Sequence, residues 1–235
     1  MKYSVVIPLK NEEENIKVLI EEIESVMKKI GSPFEVICID DGSDDQTLTV
    51  LKGLATHRPF LRIVCFVKNF GQSSAFAAGF AKASGEFVIT LDGDRQNNPA
   101  DIPLLIAKID EADLVCGWRV DRRDHWRKKV ISKMANQIRG RLCKDGMHDT
   151  GCSLKLYRKS ALDNIKLYHG MHRFLPALFL LEGYKVREVA VSHRERTKGT
   201  TKYNFLNRSI GPIIDMFVVR WMRKKRLKYT IREEL

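Results

Sequence analysis

Leu91-Asp92-Gly93-Asp94-Arg95-Gln96 follows a short apolar run, Phe87-Val88-Ile89-Thr90-Leu91, and sets two carboxylates and a carboxamide on alternate positions. Oxygen donors of this kind suit a hard divalent cation, Mg²⁺ or Mn²⁺, which keeps waters and substrate phosphates as the rest of its shell. The same residues also suit a plain strand-to-helix turn, in which Asp caps and Gly bends. A second acidic group, Asp40-Asp41-Gly42-Ser43, closes another apolar run, and Pro8, Lys10, Asn11 and Glu12 close a third. Carboxylates gathered on one edge repel each other, and a cation or ligand donors would offset that cost.

An alternation of strand and helix would bring these groups to one edge. Apolar runs at Tyr3–Leu9, Phe34–Ile39, Arg62–Val67, Phe87–Leu91 and Asp113–Cys116 read as strands. Helical patterns lie between them at Glu12–Ile30, Asp45–His57, Gln72–Ser84 and Pro99–Ile109. In the first, Ile16, Leu19, Ile20, Ile23, Val26 and Met27 keep a 3.6-residue period. Repeated βα units predict an α/β fold with a mostly parallel central sheet and helices on both faces. Sites in such sheets gather at the carboxyl ends of the strands. Downstream, Cys152–Arg158 and Lys185–Ser192 read as strands and Phe174–Glu182 as a helix. Arg119–Lys144 reads as a basic helical segment and Arg194–Tyr203 as a loop, and a last helix spans residues 204 to 226 with Pro212 as a kink or restart.

The 235 residues suffice for one large domain with an appendage. Five scattered cysteines without a CxxC pair argue against a disulfide framework or a zinc ribbon. With no secretory signal pattern, a reducing, cytoplasmic setting is expected. The formal net charge of +12 is concentrated in residues 118–145 and 194–232. Such segments call for anionic partners: phosphates, nucleic acid or a membrane surface. The basic segments lack the aromatic interleaving of a recognised nucleic-acid-binding pattern, so nucleic acid is the remote alternative and no such partner is expected. No apolar stretch reaches the roughly 18 residues of a spanning helix. There is no Walker loop, no GxGxxG after the first strand, no GxSxG elbow and no HExxH.

Val6-Ile7-Pro8 with Asn11-Glu12, then Ile39-Asp40-Asp41-Gly42-Ser43, then Asp92-Gly93-Asp94-Arg95-Gln96 resemble the motifs of inverting family 2 glycosyltransferases of the GT-A fold. Asp149-Thr150-Gly151-Cys152-Ser153-Leu154-Lys155, Met171-His172-Arg173-Phe174-Leu175-Pro176-Ala177-Leu178 and His193-Arg194-Glu195-Arg196 leading to Gly199-Thr200-Thr201-Lys202-Tyr203 resemble the polyprenyl-phosphate branch. That branch includes the dolichol-phosphate mannose synthases and bacterial undecaprenyl-phosphate enzymes. The chain departs from it at Arg95, where leucine is common, at Asn97-Asn98 before Pro99, and at Lys10.

The resemblance implies a metal-dependent transfer of a sugar from a nucleotide diphosphate to a polyprenyl phosphate, with a sugar or lipid core as the alternative acceptor. Pro8 and Glu12 would line the nucleotide pocket, and Asp40 with its neighbour Asp41 would hold base or ribose. Asp92, Asp94 and Gln96 would coordinate or approach the Mg²⁺ or Mn²⁺. Arg119 would meet a donor or acceptor phosphate, with Arg127 as the second candidate for the acceptor. Asp149 would serve as base or organiser, and Arg194, Arg196 and Lys202 would close over donor and acceptor. The transferase domain is expected over residues 1–205 and a polybasic helix over 206–235. There Ile210, Ile213, Ile214, Phe217, Val218 and Trp221 recur at helical spacing before a basic run. Such a helix would lie on the anionic cytoplasmic face of a membrane, or pack on a membrane protein or a second subunit.

Overall fold

The computed structural model describes residues 1–120, 139–140, 142–143, 145–195, 210–227 and 233. Among them, β1 (Tyr3–Leu9), β2 (Phe34–Asp40), β3 (Leu61–Cys65), β4 (Phe87–Thr90), β5 (Leu114–Arg119), β6 (Lys155–Arg158) and β7 (Val186–Val191) form one sheet in the order β3-β2-β1-β4-β6-β5-β7. All pairs are parallel except those of β6, which runs antiparallel to both β4 and β5. Helices α1 (Ile16–Ile30), α2 (Thr47–Ala55), α3 (Gln72–Lys82) and α4 (Ile102–Ile106) connect the strands of the first half.

Near-continuous apolar strands mark a sheet covered on both faces. Val5, Ile7 and Leu9 of β1 and Val36 and Cys38 of β2 pack with Leu19, Ile20, Ile23 and Met27 of α1. The alternate residues Val6, Ile37 and Ile39 pack with Ala75, Phe76 and Phe80 of α3. Each buried aliphatic side chain contributes about 1.5–3 kcal/mol. The two layers hold the strand ends, and with them the polar loops, in a fixed frame. The α1 stripe is the one its spacing predicts, and Gly31 closes the helix in the left-handed region at φ 72°.

Several boundaries differ from the sequence expectation; β3, for example, ends at Cys65 rather than Val67, and β5 runs on to Arg119. The Pro99–Ile109 helix is broken into a 3₁₀ turn over Pro99–Asp101 and α4, because Pro103 has no N–H to give to the Pro99 carbonyl. Strand β6 begins at Lys155 rather than Cys152, since residues 149–154 form a turn with its own hydrogen bonds. The last helix is described over Ile210–Lys225, with Pro212 in its first described turn, and residues 204–209 of the expected helix lie outside the described residues. Its Met216 and Val219 pack on Phe174, Ala177 and Cys143. Gly170 admits it closely: a Cβ there would lie 2.5 Å from Asp215 Oδ2. Most of the basic segment 119–144 lies outside the described residues.

Candidate active site

Because β6 runs against β4, its start meets the end of β4, with Thr90 opposite Lys155. Thr90 Oγ1 donates to the Ser153 carbonyl at 2.6 Å. Residues 149–154 therefore come alongside Asp92 and Asp94. Gly93 presses the acidic turn against the end of β1: a Cβ there would sit 2.5 Å from Leu9 Cδ2 and 3.2 Å from Glu12 Cγ. Asp94 accepts from the Gln96 N–H at 3.1 Å, and Asp92 accepts from Gln72 Nε2, at the start of α3, at 2.8 Å. Desolvation, and then the Asp94 charge, push the Asp92 carboxyl up to about 6. A hydrogen bond from Ser153 and the charges of Lys155 and Arg119 oppose that shift without cancelling it.

Two carboxylates that crowd each other in this way are a fitting half-shell for a hard divalent cation. Among the described residues no group of three or more His, Cys, Asp and Glu converges to enclose a metal. The donor set fits Mg²⁺ or Mn²⁺ completed by phosphate oxygens and water.

The neighbouring strand ends supply the rest of the edge. Asp40, buried at the end of β2, accepts from the Ser43 N–H at 3.1 Å. Asp41 is also buried, and its two oxygens accept from the Phe70 and Gly71 N–H groups at 2.6 and 2.9 Å. Those bonds hold the loop leading into α3. Pro8 sits on β1 opposite Ile39, and Glu12 accepts from Asn15 Nδ2 at 2.8 Å while its own N–H donates to Thr47 Oγ1. The unusual Lys10 donates to the Gly42 carbonyl at 2.5 Å and lies 3.5 Å from Asp44. It offsets part of the acidic charge of that loop.

On the other side of the acidic turn, Arg119 meets Asp149 with two hydrogen bonds: Nε to Oδ2 at 2.6 Å and Nη2 to Oδ1 at 3.0 Å. Both side chains are largely buried. Glu188 on β7 accepts from the His148 and Asp149 N–H groups at 2.9 and 3.2 Å, and its second oxygen lies 2.8 Å from His148 Nδ1. The His148 ring stacks on Trp118 with centroids 4.4 Å apart. His172 lies 2.7 Å from Ser73 Oγ, and burial, then Arg173, lower its pKa to about 3, so as a neutral ring it ties the 3₁₀ turn Met171–Phe174 to the first turn of α3.

The structure thus brings Pro8, Glu12, Asp40, Asp41, Asp92, Asp94, Arg119 and Asp149 to one end of the sheet. Gln96 contributes through its backbone, its carbonyl accepting from the Arg194 N–H at 3.0 Å. The Arg194 guanidinium is engaged by Glu22 and Asn98 at 2.7 and 2.5 Å. Arg127, Arg196 and Lys202 lie outside the described residues. Sequence reasoning missed Gln72, Glu188 and Lys155. Lys155 is buried, with its ammonium on the Cys152 and Thr150 carbonyls. Its signal was available as a lysine inside the apolar run Leu154-Lys155-Leu156-Tyr157.

This mostly parallel sheet, with Asp40, Asp92 and Asp94 at its strand ends and Arg119 and Lys155 beside the acidic turn, has the GT-A type of fold. The profile of Glycosyl transferase family 2 matches residues 4–166, and the chain belongs to that family. It is 38% identical over 232 residues to a dodecaprenyl-phosphate galacturonate synthase of Rhizobium johnstonii, spanning 96% of this chain and 68% of that one. Among solved structures it resembles glucosyl-3-phosphoglycerate synthase from Mycobacterium tuberculosis in complex with Mn²⁺ and UDP-glucose. There the TM-score is 0.68 at 19% identity, over 93% of this chain and 78% of that chain. It also resembles the 1–349 fragment of S. aureus TarS, with a TM-score of 0.57 at 22% identity, covering 82% of this chain and 59% of the fragment. At these identities the two likenesses concern the fold.

Proposed function

We propose that the chain transfers a sugar from a nucleotide diphosphate to a polyprenyl phosphate, with inversion at the anomeric carbon. The reading rests on the meeting of Asp92 and Asp94 with the Arg119–Asp149 pair where β4 ends and β6 begins. The Rhizobium relative, named for dodecaprenyl phosphate and galacturonate, supports the lipid acceptor.

Asp92 and Asp94 would hold a Mg²⁺ or Mn²⁺, which when bound supplies charge neutralisation for the departing diphosphate. Asp40, Glu12 and Pro8 line the edge where the nucleoside fits, and the buried Asp41 keeps that edge in shape. A phosphate monoester, with a second pKa of roughly 6, is already anionic near neutrality. Its oxygen attacks the anomeric carbon as the bond to the diphosphate oxygen breaks, so a strong general base is not required. Arg119, oriented by Asp149, donates to a phosphate oxygen. Arg127, Arg194, Arg196 and Lys202 add positive charge from the second half of the chain.

Residues 1–205 carry the transfer, and residues 206–235 serve as the contact with the cytoplasmic face of a membrane. Ile213, Ile214, Phe217 and Trp221 stand exposed on the helix Ile210–Lys225, on the side away from its packed Met216 and Val219. Arg223, Lys224, Lys225 and Arg226 follow, a pattern that suits anionic lipid.

The deciding experiment is a screen of UDP- and GDP-sugars, galacturonate among the sugars, with dodecaprenyl phosphate and Mn²⁺ or Mg²⁺. The expected products are a nucleoside diphosphate and a lipid-linked sugar. Absence of transfer from every donor overturns the reading.

A further inference from the structure

Arg95 interrupts the acidic turn with a bulky side chain in the left-handed region, at φ 61°. Among the described residues it shares a positive φ only with Asn11 and with glycines. A residue of this size pays about 1–2 kcal/mol for that conformation, so its surroundings must impose it. Glu22 of α1 is what meets it: Arg95 Nη2 donates to Glu22 Oε1 at 3.1 Å, while Arg95 Nε finds no acceptor.

The second oxygen of Glu22 accepts from Arg194 Nη1 at 2.7 Å. Arg194 is tied to the same turn twice more. Its N–H donates to the Gln96 carbonyl at 3.0 Å, and its Nη2 donates to Asn98 Oδ1 at 2.5 Å. Between these bonds, Asn97 pairs with His193 as an isolated antiparallel bridge. One carboxylate on a core-anchored helix thus holds both ends of a closed circuit. Leu19, Ile20 and Ile23, on either side of it in α1, are fully buried. The circuit includes the turn in which the Asp94 carboxylate receives the Gln96 N–H.

We propose that Glu22 is a positioning residue for the acidic turn. Through Arg95 it fixes the left-handed backbone step between Asp94 and Gln96, and through Arg194 it locks that step to the segment arriving after β7. The metal-related part of this inference rests on the proposed role of Asp92 and Asp94. The backbone part stands without it.

The test has two readouts in Glu22→Ala and Glu22→Gln. Amide hydrogen exchange by NMR should accelerate at Gln96 and Arg194 by about tenfold or more, with the amides of β1 and β2 unchanged. Mn²⁺ affinity, measured by paramagnetic resonance on the protein with UDP, should fall roughly tenfold or more, as removal of an outer supporting group commonly produces. Glu22→Ala combined with Arg95→Ala should lose no more than the larger single loss. Glu24, another carboxylate of α1, pairs with Arg58 at 2.8 Å and is the control: Glu24→Ala should leave both readouts unchanged. Unchanged exchange at Gln96 and Arg194 overturns the proposal, as does unchanged Mn²⁺ affinity in a protein whose wild type binds Mn²⁺. A wild type that binds no Mn²⁺ overturns the metal reading instead, and the exchange result then decides the role of Glu22.

Discussion

Arg119 and Asp149 satisfy each other through two hydrogen bonds, at 2.6 and 3.0 Å, with the side chains 14% and 6% exposed. The pair bridges the end of β5 and the turn before β6. Removing one partner leaves a buried charge without its counter-charge. Arg119→Ala and Asp149→Ala should therefore each destabilise the protein by about 3 kcal/mol in urea unfolding. The double substitution should cost clearly less than the two single losses together. Additive losses would mean that the two groups do not depend on each other.

Asp94→Asn should abolish metal-dependent turnover while leaving the unfolding midpoint close to that of the wild type. The carboxamide keeps an oxygen to accept the Gln96 N–H but brings no charge to the cation. Retained activity at the same Mn²⁺ concentration would place the metal elsewhere.

The Asp92 carboxyl, held at about 6, would make cation binding at the proposed site sensitive to acid. Its folded pKa lies above the ordinary Asp value of roughly 3.9, so the folded, metal-free protein holds the extra proton between those limits. Its contribution to metal-free stability therefore falls as pH rises from about 4 to 6 and stays at its lowest above that. A cation must displace the proton, so Mn²⁺ affinity should drop about tenfold per pH unit below 6. Calorimetry between pH 5 and 7.5 checks the slope, and a flat profile would contradict it.

Glu35 titrates in the opposite sense. Burial alone would raise its pKa, but hydrogen bonds from the Ser84 and Ser4 hydroxyls, the Ser84 N–H and Arg62 bring it down to about 2. Its stabilisation is complete above the ordinary Glu value of roughly 4.3 and is lost as pH falls through 2. Glu35→Gln should remove this acid-dependent component, visible as a shallower loss of stability between pH 4.5 and 2. An unchanged acid transition would show that other groups govern it.

Phe217→Ser with Trp221→Ser should weaken co-sedimentation with anionic vesicles several-fold and leave thermal stability unchanged, because these side chains are 56% and 60% exposed. Binding that survives both substitutions would rule out this face as the membrane contact.

Much of the frame was legible in the sequence. β1 spans the expected Tyr3–Leu9, and the α1 stripe from Ile16 to Met27 is buried as its period requires. The acidic residues that close β2 and follow β4 fall on one edge, as alternating βα units imply. The insertion of β6 between β4 and β5 was not legible, since strand pairing over 65 residues leaves no local pattern. That pairing puts Lys155 and the Asp149 turn beside Asp92. Arg95 was equally opaque: its place depends on Glu22, which reads in the sequence as an ordinary solvent-facing residue of α1. Lys10 stood out as a departure, and its contact with the Gly42 carbonyl accounts for it.

The antiparallel β6 also sets an order of events during synthesis. When β1 to β4 have been made, β4 is an open edge, and the carboxylates after it have neither Lys155 nor Arg119 nearby. Thr90 must wait for Lys155 to be translated before that edge closes. Domains with such distant pairings form late and expose their edges meanwhile. The carboxylates after β4 therefore gain their cationic neighbours only when β5 and β6 have been made, with β7 still to come.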